Sequence, residues 1–295
     1  MSENKEKVFS NTVINWYPGH MAKAQREIEG RIKLVDMVIE LVDARAPFSS
    51  RNHTFDRLLK NKPRLVIMTK KDLADQACTN AWIKKFEERG YKAMAIDLKH
   101  FKDTNKIINY CLEILKEQRE KEARKGLKSR AIRAMIVGVP NVGKSTLINA
   151  LAKRKATVTG NKPGVTKAQQ IIRVNKDFEL FDTPGVLPPK YDDLEIARNV
   201  ALIGSIKRDI LPLDELFIYA LGYLNKNYPD ALKGRYDLTF NEDEDWVLDA
   251  YAQIAKIRHL PLLKGEIDYE RVQDVFFKDL SDGVFGGITW EKADV

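Results

Sequence analysis

Eight consecutive residues, Gly138-Val-Pro-Asn-Val-Gly143-Lys144-Ser145, fit the pattern GxxxxGK[ST]. The pattern has a mechanism: glycines let backbone N–H groups close around phosphate oxygens, a lysine neutralises them, and a hydroxyl holds the divalent cation that bridges them. Val142 and Gly143 would present backbone, Lys144 the positive charge and Ser145 the Mg²⁺ ligand. An apolar run, 134–137, precedes the loop and a helix-like stretch comes after it, as the mechanism requires. Thr146 falls in the first helical turn, where the helix N-terminus adds partial positive charge. Downstream, Asp182-Thr-Pro-Gly185 ends a strand-like run and matches DxxG. Asp182 would hold the Mg²⁺ through a water and the Gly185 N–H would meet a γ-phosphate. In the basic loop 153–170, Gly160, Pro163 and Gly164 allow movement, and Thr166 is the candidate switch threonine that closes on Mg²⁺ with a triphosphate bound.

A site selective for guanine needs a carboxylate that accepts from N1–H and the 2-amino group together, which adenine cannot offer. Thr69-Lys70-Lys71-Asp72 supplies one directly after the apolar run 65–68, resembling NKxD with Thr in place of Asn. Lys70 would lay its stem along the base and Asp72 would read its edge. Thr69 stands where the asparagine would make a supporting hydrogen bond. Ordinarily this motif comes after DxxG, but here it lies 66 residues before the phosphate loop. The order is circularly permuted. Termini of a compact domain often lie close together, so rejoining them leaves a sheet intact. The new join is the charged stretch 105–133, and the new cut falls after DTPG, so the switch segment runs straight into the C-terminal helices. That connection implies that γ-phosphate contacts set the pose of the C-terminal part.

These residues need elements to hold them. Apolar runs at 35–42, 65–68, 93–96, 134–137, 171–174 and 178–181 read as strands, the last two as a hairpin around Asn175, Lys176 and Asp177. Helix-like segments fall at 53–60, 80–89, 105–124 and 145–152. The alternation predicts an α/β fold, a doubly wound, mostly parallel sheet over residues 1–200. Beyond it, three- and four-residue apolar spacing at 194–207, 213–225, 244–258 and 269–280, punctuated by Pro212, Pro229 and Pro261, predicts a small all-α domain over 201–295.

The chain has 295 residues and a formal charge of +8, enough length for two domains and a balance that favours a polyanionic partner without requiring one. No apolar run is long enough to span a bilayer and no leader-like segment precedes the first strand, so a cytoplasmic protein without a membrane partner is expected. Cys78 and Cys111 stand far apart without ligand-like neighbours and read as reduced packing residues. His53, His100 and His259 show no metal-ligand spacing. Asp43 and Arg45 end a buried strand, where α/β ligand sites collect, and read as a structural or switch-supporting pair.

Taken together, TKxD, GxxxxGKS, PGxT and DTPG in this order, with Trp16-Tyr-Pro-Gly-His20-Met21 and Asp43-Ala-Arg45-Ala-Pro47, resemble the ribosome biogenesis GTPase A (YlqF) family of circularly permuted GTPases. The resemblance runs from residue 14 to the last helices. It implies GTP hydrolysis coupled to late maturation of the large (50S) ribosomal subunit, stimulated by the ribosome, with the helical domain on ribosomal RNA, no DNA partner and a monomeric chain. Where many GTPases place a water-orienting Gln, this chain has Val186. The resemblance nominates His20 for catalysis, with Lys144, and Asn141 as ligand of a K⁺ ion beside the phosphates; such a cation would supply the charge an arginine finger provides elsewhere. The family's base-contact pair after TKxD is not recognisable in Ala95-Ile-Asp97. Trp16 and Tyr17 suit either RNA stacking or packing beside the nucleotide domain. Two other classes remain open from the residues: a GTP-dependent switch for a protein partner without RNA contact, and an ATP-using P-loop kinase, against which Asp72 argues.

Overall fold

A computed structural model describes residues 17, 19–101, 103–153, 170–191, 193–240 and 245–293. The chain opens with α1 (Gly19–Arg31), which buries Met21, Ala24 and Ile28 on one face. Their three- and four-residue spacing is a helix signal, but α1 was not among the predicted elements. Then come β1 (Met37–Asp43), α2 (Thr54–Leu59), β2 (Arg64–Thr69), α3 (Gln76–Glu88) and β3 (Lys92–Ala95). After these the chain forms α4 (Thr104–Ile114), α5 (Lys116–Arg124), β4 (Ile132–Val137), α6 (Lys144–Ala152), β5 (Gln170–Asn175) and β6 (Phe178–Asp182).

The strands form one sheet in the order β3-β2-β1-β4-β6-β5, parallel except for edge strand β5, which pairs antiparallel with β6. All residues of β1 and β2 are buried, as befits parallel strands covered on both faces, whereas β5 exposes residues. Registers align the strand ends: Asp43 lies opposite Thr69, and Met68 opposite Ala95. The order reverses between β1 and β4, and ligands of open α/β sheets bind outside the carboxyl ends at such a switch point. The loops carrying TKKD, the phosphate pattern and DTPG all leave this edge.

The predicted single helix 105–124 is two. Leu115, with φ −94° and ψ 2°, sinks into the core between α4, which has a buried face, and α5, which buries nothing. The C-terminal part comprises α7 (Leu194–Leu202), α8 (Leu213–Asn227), α9 (Pro229–Tyr236), α10 (Trp246–Ile257) and α11 (Tyr269–Asp282). Helix α7 stops five residues before its predicted end because Gly204 adopts φ +79°. The Ser205 N–H then returns to the Val200 carbonyl and the Gly204 N–H to that of Ala201, a Schellman closure. Helix α9 was not predicted, since Pro229 reads as punctuation; it is the first helical residue, where proline's missing N–H costs nothing.

Buried clusters of the sheet and of the C-terminal helices meet along α7 and α8, and the sheet cluster runs past residue 200. The sheet core takes in Ala197, Val200, Ala201, Ile206 and Leu216. The helical core, built on Phe217, Tyr236, Tyr251 and Phe276, takes in Ala46 from the loop after β1. After α11 the chain turns back to the nucleotide half: the Ile288 N–H donates to the Leu73 carbonyl (3.0 Å), the Trp290 N–H to that of Arg45 (2.7 Å), and the Glu291 carboxylate accepts from the Phe48 and Ser49 N–H groups. Cys78 and Cys111 are both free thiols, and burial pushes Cys111 up to about 12. Among the described residues no helix is long and apolar enough to cross a membrane.

Candidate functional site

The phosphate loop joins β4 to α6, so its backbone is aimed by a buried strand and ends at a helix N-terminus. Gly143, the residue before α6, has φ +97°, and a Cβ there would stand 2.7 Å from Leu98 Cδ1. Gly185 is equally confined: a Cβ would lie 2.7 Å from Pro140 Cα and 3.0 Å from Lys144 Nζ. DTPG therefore presses its glycine directly on the phosphate loop, and only a residue without a side chain allows it. Two further bonds stitch the motifs together: Thr183 Oγ1 donates to the Ile136 carbonyl at 2.6 Å, and the Val186 N–H to that of Gly138 at 3.3 Å.

Lys144 is buried and donates to the carbonyls of Gly138 (3.0 Å) and Val139 (2.7 Å). Burial pulls its ammonium down to about 8 against the opposing charge of Asp182. Asp182 is fully buried, and neither carboxylate oxygen has a hydrogen-bonding partner of good geometry among the described residues. Burial raises it to about 6, with Lys144 and, more loosely, Gln170 and the Thr183 N–H pulling it back. An unbonded carboxylate in such a place is costly unless something binds it. Its oxygens fit a hard, oxygen-seeking divalent cation of the Mg²⁺ kind, which keeps several waters and takes few protein carboxylates. Among the described residues no group of three or more His, Cys, Asp or Glu suited to a metal occurs.

Ser145 and Thr146 occupy the second and third positions of α6. Asn141 adopts φ +60°, which asparagine tolerates, and its Nδ2 donates to the Gly204 carbonyl at 2.7 Å. Beside it Ser205 Oγ donates to the Pro140 carbonyl at 2.8 Å, so the turn ending α7 buttresses the loop. Thr166 and Trp16 lie outside the described residues. His20 sits exposed at the second residue of α1 and makes no hydrogen bond or ion pair among the described residues. Tyr17 is half-buried, packs against the sheet core and donates to Gln25. Val186 is fully buried in the sheet core, its carbonyl held by Asn52 Nδ2 at 2.9 Å. The position where other GTPases carry a catalytic amide is thus part of the packing.

At the base end, Thr69 closes β2 with its hydroxyl 2.6 Å from the Val142 carbonyl and 3.2 Å from that of Val42. This bond runs from the TKKD strand to the phosphate loop, so the threonine itself supplies a link between the two motifs. Lys70 comes next, in the left-handed region (φ +56°), and Asp72 lies in a 3₁₀ turn, Lys71–Leu73, with Lys99 Nζ at 3.1 Å. The loop after β3 completes the cleft: Leu98 backs Gly143, Asp97 accepts from the Lys99 N–H, and Ile96 accepts from that of Lys71. A cavity of about 570 Å³ opens here, lined by Lys71, Asp72, Ile96, Asp97, Lys106 and Gly287.

Leu98, Lys99, Asn52 and Ser205 were not singled out from sequence. For Leu98 and Lys99 the available signal was position, just past the strand beside β2. Asn52 and Ser205 carry no local signal, because their partners Val186 and Pro140 are far away in sequence.

A strand–loop–helix phosphate site, a DxxG element pressed on it and a TKxD carboxylate in the turn after β2 define a P-loop protein of the GTPase class with permuted motif order. Comparisons agree. Residues 133–219 match a family model described as 50S ribosome-binding GTPase. Ribosome biogenesis GTPase A of Bacillus licheniformis is 46% identical over 96% of this chain and 99% of its own length. Mitochondrial ribosome-associated GTPase 1 of Mus musculus is 33% identical, with 95% and 90% covered. The crystal structure of GNP-bound YlqF from T. maritima has the same fold, with a TM-score of 0.63 at 24% identity over 92% of this chain and 99% of that one. The chain belongs to the ribosome biogenesis GTPase A family.

Proposed function

We propose that this chain binds and hydrolyses GTP as an assembly factor for the large ribosomal subunit. The observation that carries the reading is the convergence, on one sheet edge, of the Lys144–Asp182 pair and the Asp72 turn, joined by the Thr69 bond to Val142. GTP brings the phosphates that Lys144 and the backbone at Val142 and Gly143 receive, and Asp72 reads the guanine edge beside Lys70. In doing so Asp72 exchanges its pairing with Lys99 for the base. Ser145, Thr146 and the Gly185 N–H complete the phosphate shell.

Ser145, Thr166 and Asp182 are the residues that would hold Mg²⁺, which when bound supplies neutralisation of the phosphate oxygens. Of Asn141 the side-chain oxygen is the atom for K⁺. Since Val186 is packed away, His20 is the candidate to orient the attacking water, and its exposed position leaves it accessible to a partner that brings the site to completion. The helical part is the surface for ribosomal RNA; because residues 201–295 are net acidic and the chain's basic balance lies in residues 1–200, the nucleotide half would add the phosphate contacts that make binding salt-sensitive. The chain acts in the cytoplasm as a monomer, and γ-phosphate contacts at Gly185 set the pose of the C-terminal helices.

The decisive experiment is sedimentation with large ribosomal subunits. Binding should require a GTP analogue, weaken with salt and survive excess ATP. Nucleotide-independent binding, or displacement of labelled GTP by ATP, would overturn the reading; GTP turnover without any association with the subunit would favour a switch acting on a protein partner. In the same assay His20→Ala should lose hydrolysis while keeping GTP affinity, and exchanging K⁺ for Na⁺ should slow turnover through Asn141.

A further inference from the structure

The carboxyl end of β1 holds a buried charge cluster that touches the guanine site without belonging to its motifs. Asp43 Oδ1 accepts from the Arg45 N–H (3.0 Å) and Nε (2.9 Å), and Oδ2 from Arg45 Nη2 (2.8 Å), a two-pronged pairing. The same Oδ2 lies 2.8 Å from Lys70 Nζ. Arg45 is in turn held from the helical side, with Nη2 donating to the Ile203 carbonyl at 3.1 Å and its own carbonyl accepting from the Trp290 N–H at 2.7 Å. The Asp43 N–H donates to Ser50 Oγ at 2.8 Å. Lys70 is therefore constrained at both ends, by its left-handed backbone at φ +56° and by the ion pair at its ammonium.

We propose that Asp43 and Arg45 are positioning residues for guanine recognition: Asp43 anchors the Lys70 ammonium so that the lysine stem is a fixed platform for the face of the base, and Arg45 locks Asp43 in that pose. The proposal rests on the reading of Lys70 as the residue that lies along the base. A free lysine would lose its rotamers on binding, a cost equivalent to about tenfold in affinity. The clamp removes it beforehand, and it is completed by Ile203 and Trp290, which come from the chain beyond the nucleotide motifs.

Calorimetry on the full chain with Mg²⁺ and two ligands, GDP and inorganic pyrophosphate, tests this. Asp43→Asn should weaken GDP about tenfold and leave pyrophosphate unchanged, because the phosphate loop keeps its own contacts. Lys70→Met should weaken GDP by a similar factor, and the double variant no further, since both act through one platform. Additive losses, or equal losses for GDP and pyrophosphate, would overturn the proposal. Lys70→Met with undiminished GDP affinity would instead remove the underlying reading of Lys70. Should Asp43→Asn fail to fold, Arg45→Lys keeps the charge but not the two-pronged pairing, and it must show the same selective loss for GDP, with a smaller factor, for the proposal to stand.

Discussion

At the phosphate end of the cleft, Lys144 and Asp182 are buried opposite charges with no direct bond, and the carboxylate has no hydrogen-bonding partner of good geometry among the described residues. At the base end, at the close of β1, Asp43 is just as buried but accepts from Arg45 through both oxygens and pairs with Lys70. The two carboxyls move in opposite directions. Burial lifts Asp182 to about 6, whereas for Asp43 burial is outweighed by Arg45 and Lys70, which hold it well below the usual carboxylate range. Desolvation is common to both, so the difference is set by satisfaction of the charge. The base end is completed by the fold in advance, while the phosphate end keeps an electrostatic debt that a bound cation and phosphates would discharge.

The contrast can be broken at its base end first. Asp72→Asn removes the acceptor pair for N1–H and the 2-amino group, and a site left with unpaired polar groups discriminates by about 10⁴. Competition binding should show GDP affinity collapsing towards that limit while xanthosine diphosphate, which offers a carbonyl in place of the amino group, gains. At the phosphate end, Lys144→Ala should lower kcat/KM for GTP by about 10²–10³, the usual effect of removing one preorganised charge donor. A loss confined to KM would mean that Lys144 serves binding alone.

Asp182→Asn sharpens the comparison because its expected sign is unusual. The unfolded carboxyl ionises near 3.8 and the folded one near 6, so between these values the folded state holds the extra proton and stability falls as pH rises. Above pH 6 the full cost is on the order of 3 kcal/mol. Thermal unfolding of the nucleotide-free variant at pH 7 should therefore occur several degrees above wild type, while Mg²⁺ dependence of GDP binding is lost. An unchanged melting temperature would show that Asp182 finds its partners without a ligand. The smallest effect belongs to the link between the two ends: Thr69→Val leaves the buried Val142 carbonyl without its donor, at about 1–3 kcal/mol. It should lower the melting temperature and weaken GDP and pyrophosphate together, unlike any change at Asp43.

Much of this was legible because the motifs are local. A phosphate loop needs a strand, glycines and a helix in immediate succession, and residues 132–152 supply them in order, so Gly143, Lys144 and Ser145 were readable one by one. The strands were equally plain, since buried parallel strands are short apolar runs; the six runs matched six strands within two residues at either end. Helices α1 and α9 were missed, one for sparse apolar residues and the other for a proline that begins a helix instead of ending one.

Chain order alone established the permutation, because TKKD precedes the phosphate loop whatever the fold. It also established the absence of a glutamine after DTPG, since Val186 is a fact of sequence. Whether the separated motifs share one site was for the sheet to decide: the order β3-β2-β1-β4-β6-β5 sets the carboxyl ends of β2, β1, β4 and β6 in one row. The pairing of Asp43 with Lys70, the buttress of Gly204 and Ser205 under the phosphate loop, and the return of Trp290 to Arg45 likewise depend on tertiary packing. The physical reason is range. Backbone conformation and phosphate cradles are written in a few neighbouring residues, but the burial that moves Asp182 up and the charges that move Asp43 down come from segments the chain brings together only on folding.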